Sequence, residues 1–135
     1  MKKIIITGGA GFIGSHLIEK LINTEVEEIL VIDDLSTGKS DNLAKFKDSN
    51  KVKFINKKVE DIQNLGDTFE GYNFCYHLAA GVGVQYIMEN LSKSLLTNIL
   101  ATHEVFEACK RNNIPVLVTS TSEVYGVSVD KECSE

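Results

Sequence analysis

Three glycines near the amino terminus are spaced so that they could hold a diphosphate. Residues 4–21, IIITGGAGFIGSHLIEKL, fit G-x-G-x-x-G from Gly9 and G-x-x-G-x-x-G from Gly8. Without side chains, such glycines let a pyrophosphate approach the backbone, and the N–H groups at the start of the next helix attract the anion. The alternative is a tight turn that needs positive φ. The strand-like segment before the loop and the amphipathic segment after it favour the dinucleotide interpretation.

An acidic residue follows the glycine loop at the distance expected for a ribose ligand. Asp33 ends the apolar segment EILVID (28–33) and lies nineteen positions after Gly14. A carboxylate accepts hydrogen bonds from both ribose hydroxyls and repels a 2′-phosphate, so this residue favours NAD over NADP. The alternative is a solvated strand end.

A third polar group lies in STSEVYG (120–126), directly after the apolar segment PVLVTS (115–120). The carboxyl ends of parallel strands are where open sheets bind ligands. Thr121, Ser122 and Glu123 are therefore candidate substrate-side residues, with a plain polar strand exit as the alternative.

The elements that must position these residues alternate between short apolar segments and longer amphipathic ones. The apolar segments lack polar alternation, as expected for strands buried on both faces. Strand–helix–strand repetition predicts an α/β fold, with a parallel sheet and helices on both faces. The predicted strands are 3–7, 28–33, 51–56, 73–79 and 115–120, and the predicted helices are 12–23, 41–47, 61–69 and 92–112.

Composition limits the partners that this chain could have. Its 135 residues suit one domain, and the net charge of −5 argues against a nucleic-acid partner. Lys57 and Lys58 look like solvated ends of elements. No apolar run reaches the roughly 20 residues of a membrane span. Three dispersed cysteines and three dispersed histidines indicate reduced thiols in a cytoplasmic protein and no metal site.

In six segments the sequence resembles the NAD-dependent epimerase/dehydratase family of the extended short-chain dehydrogenase/reductase superfamily, which acts on nucleotide sugars. The segments are TGGAGFIGSHL, DDLSTG, EDI, HLAA, TN at 97–98 and STSEVYG. The resemblance implies a Rossmann-type doubly wound parallel sheet of about five strands in the order 3-2-1-4-5. It also implies NAD as the cofactor and a nucleotide sugar, with a UDP-sugar favoured, as the substrate.

The resemblance also implies a role for each matching residue. Thr121 would hydrogen-bond the sugar oxygen, while Ser122 and Glu123 occupy the positions of an Asp-Glu acid pair in dehydratases of the family. Because Ser122 departs from that pair, the segment is closer to UDP-glucuronate decarboxylases and related epimerases. The implied cofactor-binding residues are Gly8, Gly11, Phe12, Ile13 and Gly14 for the pyrophosphate, Asp33, Ser36, Thr37 and Gly38 for the ribose, Asp61 and Ile62 for the adenine, and Leu78, Ala79, Ala80 and Asn98 for the nicotinamide side.

The implied reaction begins with oxidation at C4 of a UDP- or dTDP-sugar, followed by epimerisation, dehydration or decarboxylation. The family's acid/base is a tyrosine with lysine four residues later, and none of the 4 tyrosines here has that lysine. We therefore expect residues 1–135 to be the NAD-binding part of a longer homodimeric enzyme, without its substrate domain and inactive alone. We further expect Val116, Leu117 and Val118 to lie exposed on an edge strand. Two alternatives are a non-catalytic dinucleotide-binding module and an unrelated flavodoxin-like domain.

Overall fold

Five parallel strands form the centre of the protein, in the order β3-β2-β1-β4-β5. This order confirms the predicted doubly wound sheet. The computed structural model describes residues 2–81, 91–121 and 124. The strands are β1 (Lys2–Thr7), β2 (Val26–Ile32), β3 (Val52–Ile55), β4 (Phe74–His77) and β5 (Val116–Val118). The helices are α1 (Phe12–Leu21), α2 (Asp41–Ala44), α3 (Leu65–Thr68) and α4 (Leu91–Arg111), with a 3₁₀ turn at Val59–Asp61.

Alternate residues of β1 enter two separate hydrophobic cores, which explains why this strand is apolar throughout. Ile5 belongs to a core on the α4 side of the sheet, together with Phe69 and Val105. Ile4 and Ile6 belong to a core on the α1 side. Side chains alternate between the two faces of a strand, so a strand that is covered on both faces has no solvent-facing positions.

Helix α4 contributes small and medium side chains to the α4-side core. Ala101, Val105 and Ala108 are buried there and recur at helical spacing. Cys75 and Cys109, both free thiols, are buried in the same core.

Two predicted helices are wrong in their extent: the one at 41–47 ends at Ala44, and the one at 61–69 is interrupted. Residues 61–69 were expected to form a single helix, but a 3₁₀ turn ends at Asp61 and α3 begins at Leu65. Ile62 between them is extended, at φ −86 and ψ 110, and packs against the α4-side core. Asn64 has φ 56, a left-handed conformation that asparagine tolerates better than most residues. Tertiary packing of Ile62 therefore interrupts the helical pattern.

The edge strand β5 is exposed as expected at two of its three residues. Leu117 and Val118 are each 45% exposed, whereas Val116 is half-buried against the α4-side core. Across the described ranges, no helix combines the length and the apolar character that crossing a bilayer requires.

Candidate functional site

A cavity of about 430 Å³ lies at the carboxyl edge of the sheet. It is bounded by the segments that follow β1, β2, β3, β4 and β5, so all five strands contribute to one site. Eleven of the fifteen residues that the sequence proposed for the cofactor are in its wall: Gly8, Gly11, Phe12, Ile13, Gly14, Asp33, Ser36, Thr37, Leu78, Ala79 and Ala80.

Two glycines of the loop are needed for close packing inside the protein. Gly8 has φ +73, and a Cβ built on it would lie 2.7 Å from the backbone nitrogen of Ala79. A Cβ on Gly14 would lie 2.5 Å from Gly9 Cα and closer still to the carbonyl oxygen of Gly8. The tight turn that was the alternative interpretation of the glycines is therefore present. It brings β1, α1 and the end of β4 together.

Gly11 differs from these two because its missing side chain leaves room. Among the described residues, a Cβ on Gly11 would meet only the carbonyl oxygen of Gly8, at 3.3 Å. Its backbone, at φ −74 and ψ 175, is extended and open to any residue. Since Gly11 lines the cavity, the space that its side chain would take belongs to a ligand-sized opening.

The start of α1 provides a place for an anion. Gly11 is the N-cap and makes no side-chain cap, and the first turn contains no acidic residue. The first N–H groups of a helix have no partner within the helix and carry the positive end of its dipole. Phe12 and Ile13, which are 77% and 63% exposed, stand at the cavity wall beside these groups. This end of the cavity fits a diphosphate.

The Asp33 carboxylate is fixed in the wall by backbone donors. The N–H of Ala10 donates to Asp33 Oδ2 at 2.8 Å, and the N–H of Leu35 donates to Asp33 Oδ1 at 2.8 Å. Each carboxylate oxygen can accept two hydrogen bonds, so both retain capacity for a hydroxyl. A negative acceptor in this position suits a ribose diol and opposes a phosphate on that ribose.

The loop after Asp33 contains one expected residue that is not in the wall. A Cβ on Gly38 would lie 2.9 Å from Ala10 Cβ and 3.0 Å from Asp33 Oδ1. Gly38 is therefore packed behind the aspartate, where it allows the loop to approach the glycine turn. Leu35, at φ 61, starts this loop in a left-handed conformation.

At the far end of the cavity the structure selects different residues from those predicted. Asp61 is exposed and Ile62 packs toward the α4-side core, and neither lines the cavity. The wall is formed instead by the residues just before them, Lys57, Lys58, Val59 and Glu60. Lys57 and Lys58, which the sequence suggested as solvated ends of elements, therefore also line the cavity, where Lys57 is exposed. Their position directly after β3, at the ligand-binding edge of the sheet, was the signal that could have identified them.

A second cavity of about 310 Å³ adjoins the first and shares Ala79, Ala80, Thr119 and Ser120 with it. Thr121 and Asn98 line this second cavity. Asn98 also fixes the chain after β4: the N–H of Gly81 donates to Asn98 Oδ1 at 2.6 Å, and Asn98 Nδ2 donates back to the Gly81 carbonyl at 3.4 Å. The remaining predicted catalytic residues, Ser122 and Glu123, lie outside the described residues.

Two further residues of the second cavity, His77 and Thr102, were not proposed from the sequence. His77 is buried, and that burial lowers the pKa of its imidazole to about 4. Its ring nitrogens face Thr7 and Thr102. These contacts join residues that are far apart in the chain, so no local pattern indicates them.

The sequence that forms the glycine turn and the fixed aspartate matches a known protein family. The family model described as GDP-mannose 4,6 dehydratase matches residues 5–135. The chain belongs to this family of NAD-dependent epimerases and dehydratases. Membership confirms the resemblance that the six sequence segments indicated.

Known relatives agree with this membership in sequence and in fold. UDP-glucuronic acid decarboxylase 6 of Arabidopsis thaliana is 38% identical over 124 residues, which cover 92% of this chain and 35% of the relative. UDP-N-acetylglucosamine 4-epimerase from Methanobrevibacter ruminantium, solved with UDP-N-acetylmuramic acid, has a TM-score of 0.88 at 33% identity and covers 99% of this chain. A dTDP-glucose 4,6-dehydratase from Streptomyces venezuelae, solved with NAD bound, has a TM-score of 0.86 at 29% identity over 96% of this chain. This chain spans 35% of that decarboxylase's length, and 42% of each of the two solved chains.

Proposed function

We propose that this chain is the NAD-binding part of a nucleotide-sugar epimerase, dehydratase or decarboxylase. The observation that carries the proposal is the cavity that places Gly11, the start of α1 and the Asp33 carboxylate in one wall. Those groups fit a diphosphate and a ribose without a 2′-phosphate. A family member with this fold was solved with NAD, which supports the same cofactor here.

The residues that would hold NAD follow the length of the cavity. Gly11 and the first N–H groups of α1 would bind the diphosphate, and Asp33 would accept the adenosine ribose hydroxyls. Lys58 and its neighbours after β3 would line the adenine end. Ala79 and Ala80 are small enough for a flat nicotinamide ring to lie against the end of β4, next to the second cavity.

When bound, NAD would supply a hydride acceptor for C4 of the sugar and later return the hydride. The chain itself would contribute Thr121, whose hydroxyl would hydrogen-bond the oxygen on that carbon. Thr121 lies in the second cavity, beside the wall that we assign to the nicotinamide. We infer that the proton at the sugar oxygen is transferred by a tyrosine outside residues 1–135, because no Tyr-x-x-x-Lys occurs among them. The chain alone would then bind NAD without turnover.

A UDP-sugar is the substrate class that we favour. The Arabidopsis relative is a UDP-glucuronic acid decarboxylase, and the Methanobrevibacter structure is a UDP-sugar epimerase. We further propose that the full-length form is a homodimer, which the exposed apolar residues Ile99, Leu100 and Phe106 on α4 support.

A comparison of NAD with NADP tests the cofactor assignment. We expect the purified chain to bind NAD at least about tenfold more tightly than NADP, because Asp33 repels the extra phosphate. Asp33→Asn should remove most of that preference. Asp48→Asn, a change at an exposed residue away from the cavity, should leave the preference unchanged. Equal affinity of the unmodified chain for both dinucleotides would contradict the assignment.

A non-catalytic dinucleotide-binding module is the second candidate, and the missing Tyr-x-x-x-Lys is the observation that favours it. The DNA after the codon for Glu135 discriminates the two functions. The enzyme proposal requires an in-frame Tyr-x-x-x-Lys and a further domain, and a stop codon at that point would favour the module.

A further inference from the structure

A buried imidazole connects two strands and a helix beneath the wall that the two cavities share. Thr7 and His77 end β1 and β4 and are register partners. The Thr7 hydroxyl oxygen lies 2.7 Å from His77 Nδ1, and His77 Nε2 lies 3.0 Å from the hydroxyl oxygen of Thr102 on α4. Thr7 is fully buried and His77 is 2% exposed. The three side chains form one continuous hydrogen-bonded chain.

The hydrogen bonds of these three side chains continue to the backbone of the cavity wall. The Ala79 N–H donates to the Thr7 hydroxyl oxygen at 3.3 Å, and the Leu78 N–H donates to the Thr7 carbonyl at 3.1 Å. The nitrogen of Ala79 is also the atom nearest to the missing Cβ of Gly8. The position of Thr7 therefore determines how close the wall at Leu78 and Ala79 comes to the glycine turn on the opposite side.

The bonds at Thr7 select one tautomer of His77. The Thr7 hydroxyl accepts from the Ala79 N–H, and its single hydrogen needs an acceptor of its own. His77 Nδ1 is that acceptor when the ring hydrogen is on Nε2, which then donates to Thr102. With the hydrogen on Nδ1, the buried Thr7 hydroxyl hydrogen would have no acceptor among the described residues, which is costly.

We propose that His77 is a positioning residue for the cofactor. Its Nδ1 accepts the Thr7 hydroxyl hydrogen, which turns a lone pair of that hydroxyl toward the Ala79 N–H and holds the wall against which the nicotinamide would lie. The inference rests on the proposed NAD-binding function and adds to it a residue with no direct contact to the cofactor.

The surroundings of the ring support this role. Since burial lowers the pKa of His77 to about 4, the imidazole is neutral near pH 7. A neutral ring accepts at one nitrogen and donates at the other, as the hydrogen bonds to Thr7 and Thr102 require, whereas a protonated ring would donate at both.

Three variants separate positioning of the wall from general stability, with the NAD dissociation constant and the melting temperature as readouts. His77→Leu removes both hydrogen bonds, and we expect the dissociation constant to rise about tenfold. His77→Asn keeps an acceptor near the position of Nδ1, and we expect its NAD dissociation constant to stay within about threefold of that of the unmodified chain. Thr102→Val removes only the partner of His77 on α4. It should lower the melting temperature and change the NAD dissociation constant by a similarly small factor.

The outcomes distinguish this inference from the function on which it rests. An unmodified chain that does not bind NAD contradicts the proposed function. If the unmodified chain binds NAD and folded His77→Leu binds it equally well, the inference alone is overturned. The same follows if His77→Asn binds NAD as weakly as His77→Leu does. Nitrogen-15 NMR of the ring in the unmodified chain provides a check that needs no variant. We expect the hydrogen on Nε2, and a hydrogen on Nδ1 would overturn the inference.

Discussion

Asp33 and His77 are polar side chains at the carboxyl edge of the sheet, and both are almost completely buried. Each is tolerated because its polar atoms are hydrogen-bonded, Asp33 by two backbone N–H groups and His77 by two hydroxyls. The location of Asp33 in the cavity wall could be predicted because it lies at a fixed distance from the glycine loop in the sequence. The role of His77 could not, because its partners Thr7 and Thr102 come from other elements.

The low pKa of His77 gives a prediction about acid stability. Its folded-state pKa of about 4 is below the ordinary value of about 6.5. The unfolded chain therefore binds more protons between these values, and the free energy of unfolding falls as the pH drops from about 6.5 toward 4. Over the whole interval, the pKa shift of His77 corresponds to a loss of about 3 kcal/mol in the free energy of unfolding.

Urea unfolding at several pH values measures this dependence. His77→Asn should flatten the curve between about pH 6.5 and 4.5 relative to the unmodified chain. The hydrogen bond from Lys53 lowers the pKa of Glu28 from its ordinary 4.5, so that residue contributes only at still lower pH. Identical curves for the two proteins would show that His77 is not the group responsible.

At the scale of elements, the strands were predicted better than the short helices. β1 and β2 are buried on both faces and therefore leave an uninterrupted apolar pattern in the sequence. The helix predicted at 61–69 is interrupted, because the packing of the partly buried Ile62 against the α4-side core outweighs the local helical pattern. Interruptions of this kind depend on contacts with α4, which the local sequence does not record.

The contact between α1 and the glycine turn predicts a large effect of Gly14→Ala. The added methyl group would lie 2.5 Å from Gly9 Cα, and backbone on both sides of the contact leaves little room for relaxation. We expect a loss of more than about 3 kcal/mol of stability, or failure to fold, in urea unfolding.

Gly71→Ala is the matched control for that change. Gly71 has φ +80, and a Cβ there would meet no atom of the described residues within 4 Å. Only left-handed backbone strain remains, which costs about 1–2 kcal/mol. If Gly14→Ala proved no more destabilising than Gly71→Ala, close packing would not be the reason for glycine at position 14.

At the scale of the whole molecule, the site is located by the order of the strands. In the sheet, β2 pairs with one side of β1 and β4 pairs with the other. The connections that lead to these two strands therefore leave in opposite directions, and they diverge between β1 and β4. Sheets of this type bind ligands at such a switch point, outside the carboxyl ends of the strands. The glycine turn after β1 and the Ala79 wall after β4 face each other there.

The cavity wall includes most of the residues proposed for the cofactor, but not the two proposed for the adenine. Residues that follow β1, β2 and β4 directly, such as Gly11 and Ala79, lie in the cavity wall because the strand ends fix them, and their binding roles stay predictions. Lys58 was not proposed from the sequence and lies in the wall, whereas Asp61 does not line it, because the path of the chain after β3 depends on how the 3₁₀ turn and Ile62 pack.

The affinity of Gly11→Ala for NAD tests most directly whether the diphosphate lies at the start of α1. Within the described part of the chain the added methyl group meets one atom, the Gly8 carbonyl oxygen, in a tight contact at 3.3 Å, so the melting temperature should fall by only a few degrees. The same methyl group enters the space that we assign to the diphosphate, so titration calorimetry should show NAD affinity reduced by at least about tenfold. Gly71→Ala, measured in parallel, should bind NAD like the unmodified chain. If folded Gly11→Ala also bound NAD with unmodified affinity, the diphosphate would not lie at the start of α1 and the proposed cofactor site would be wrong.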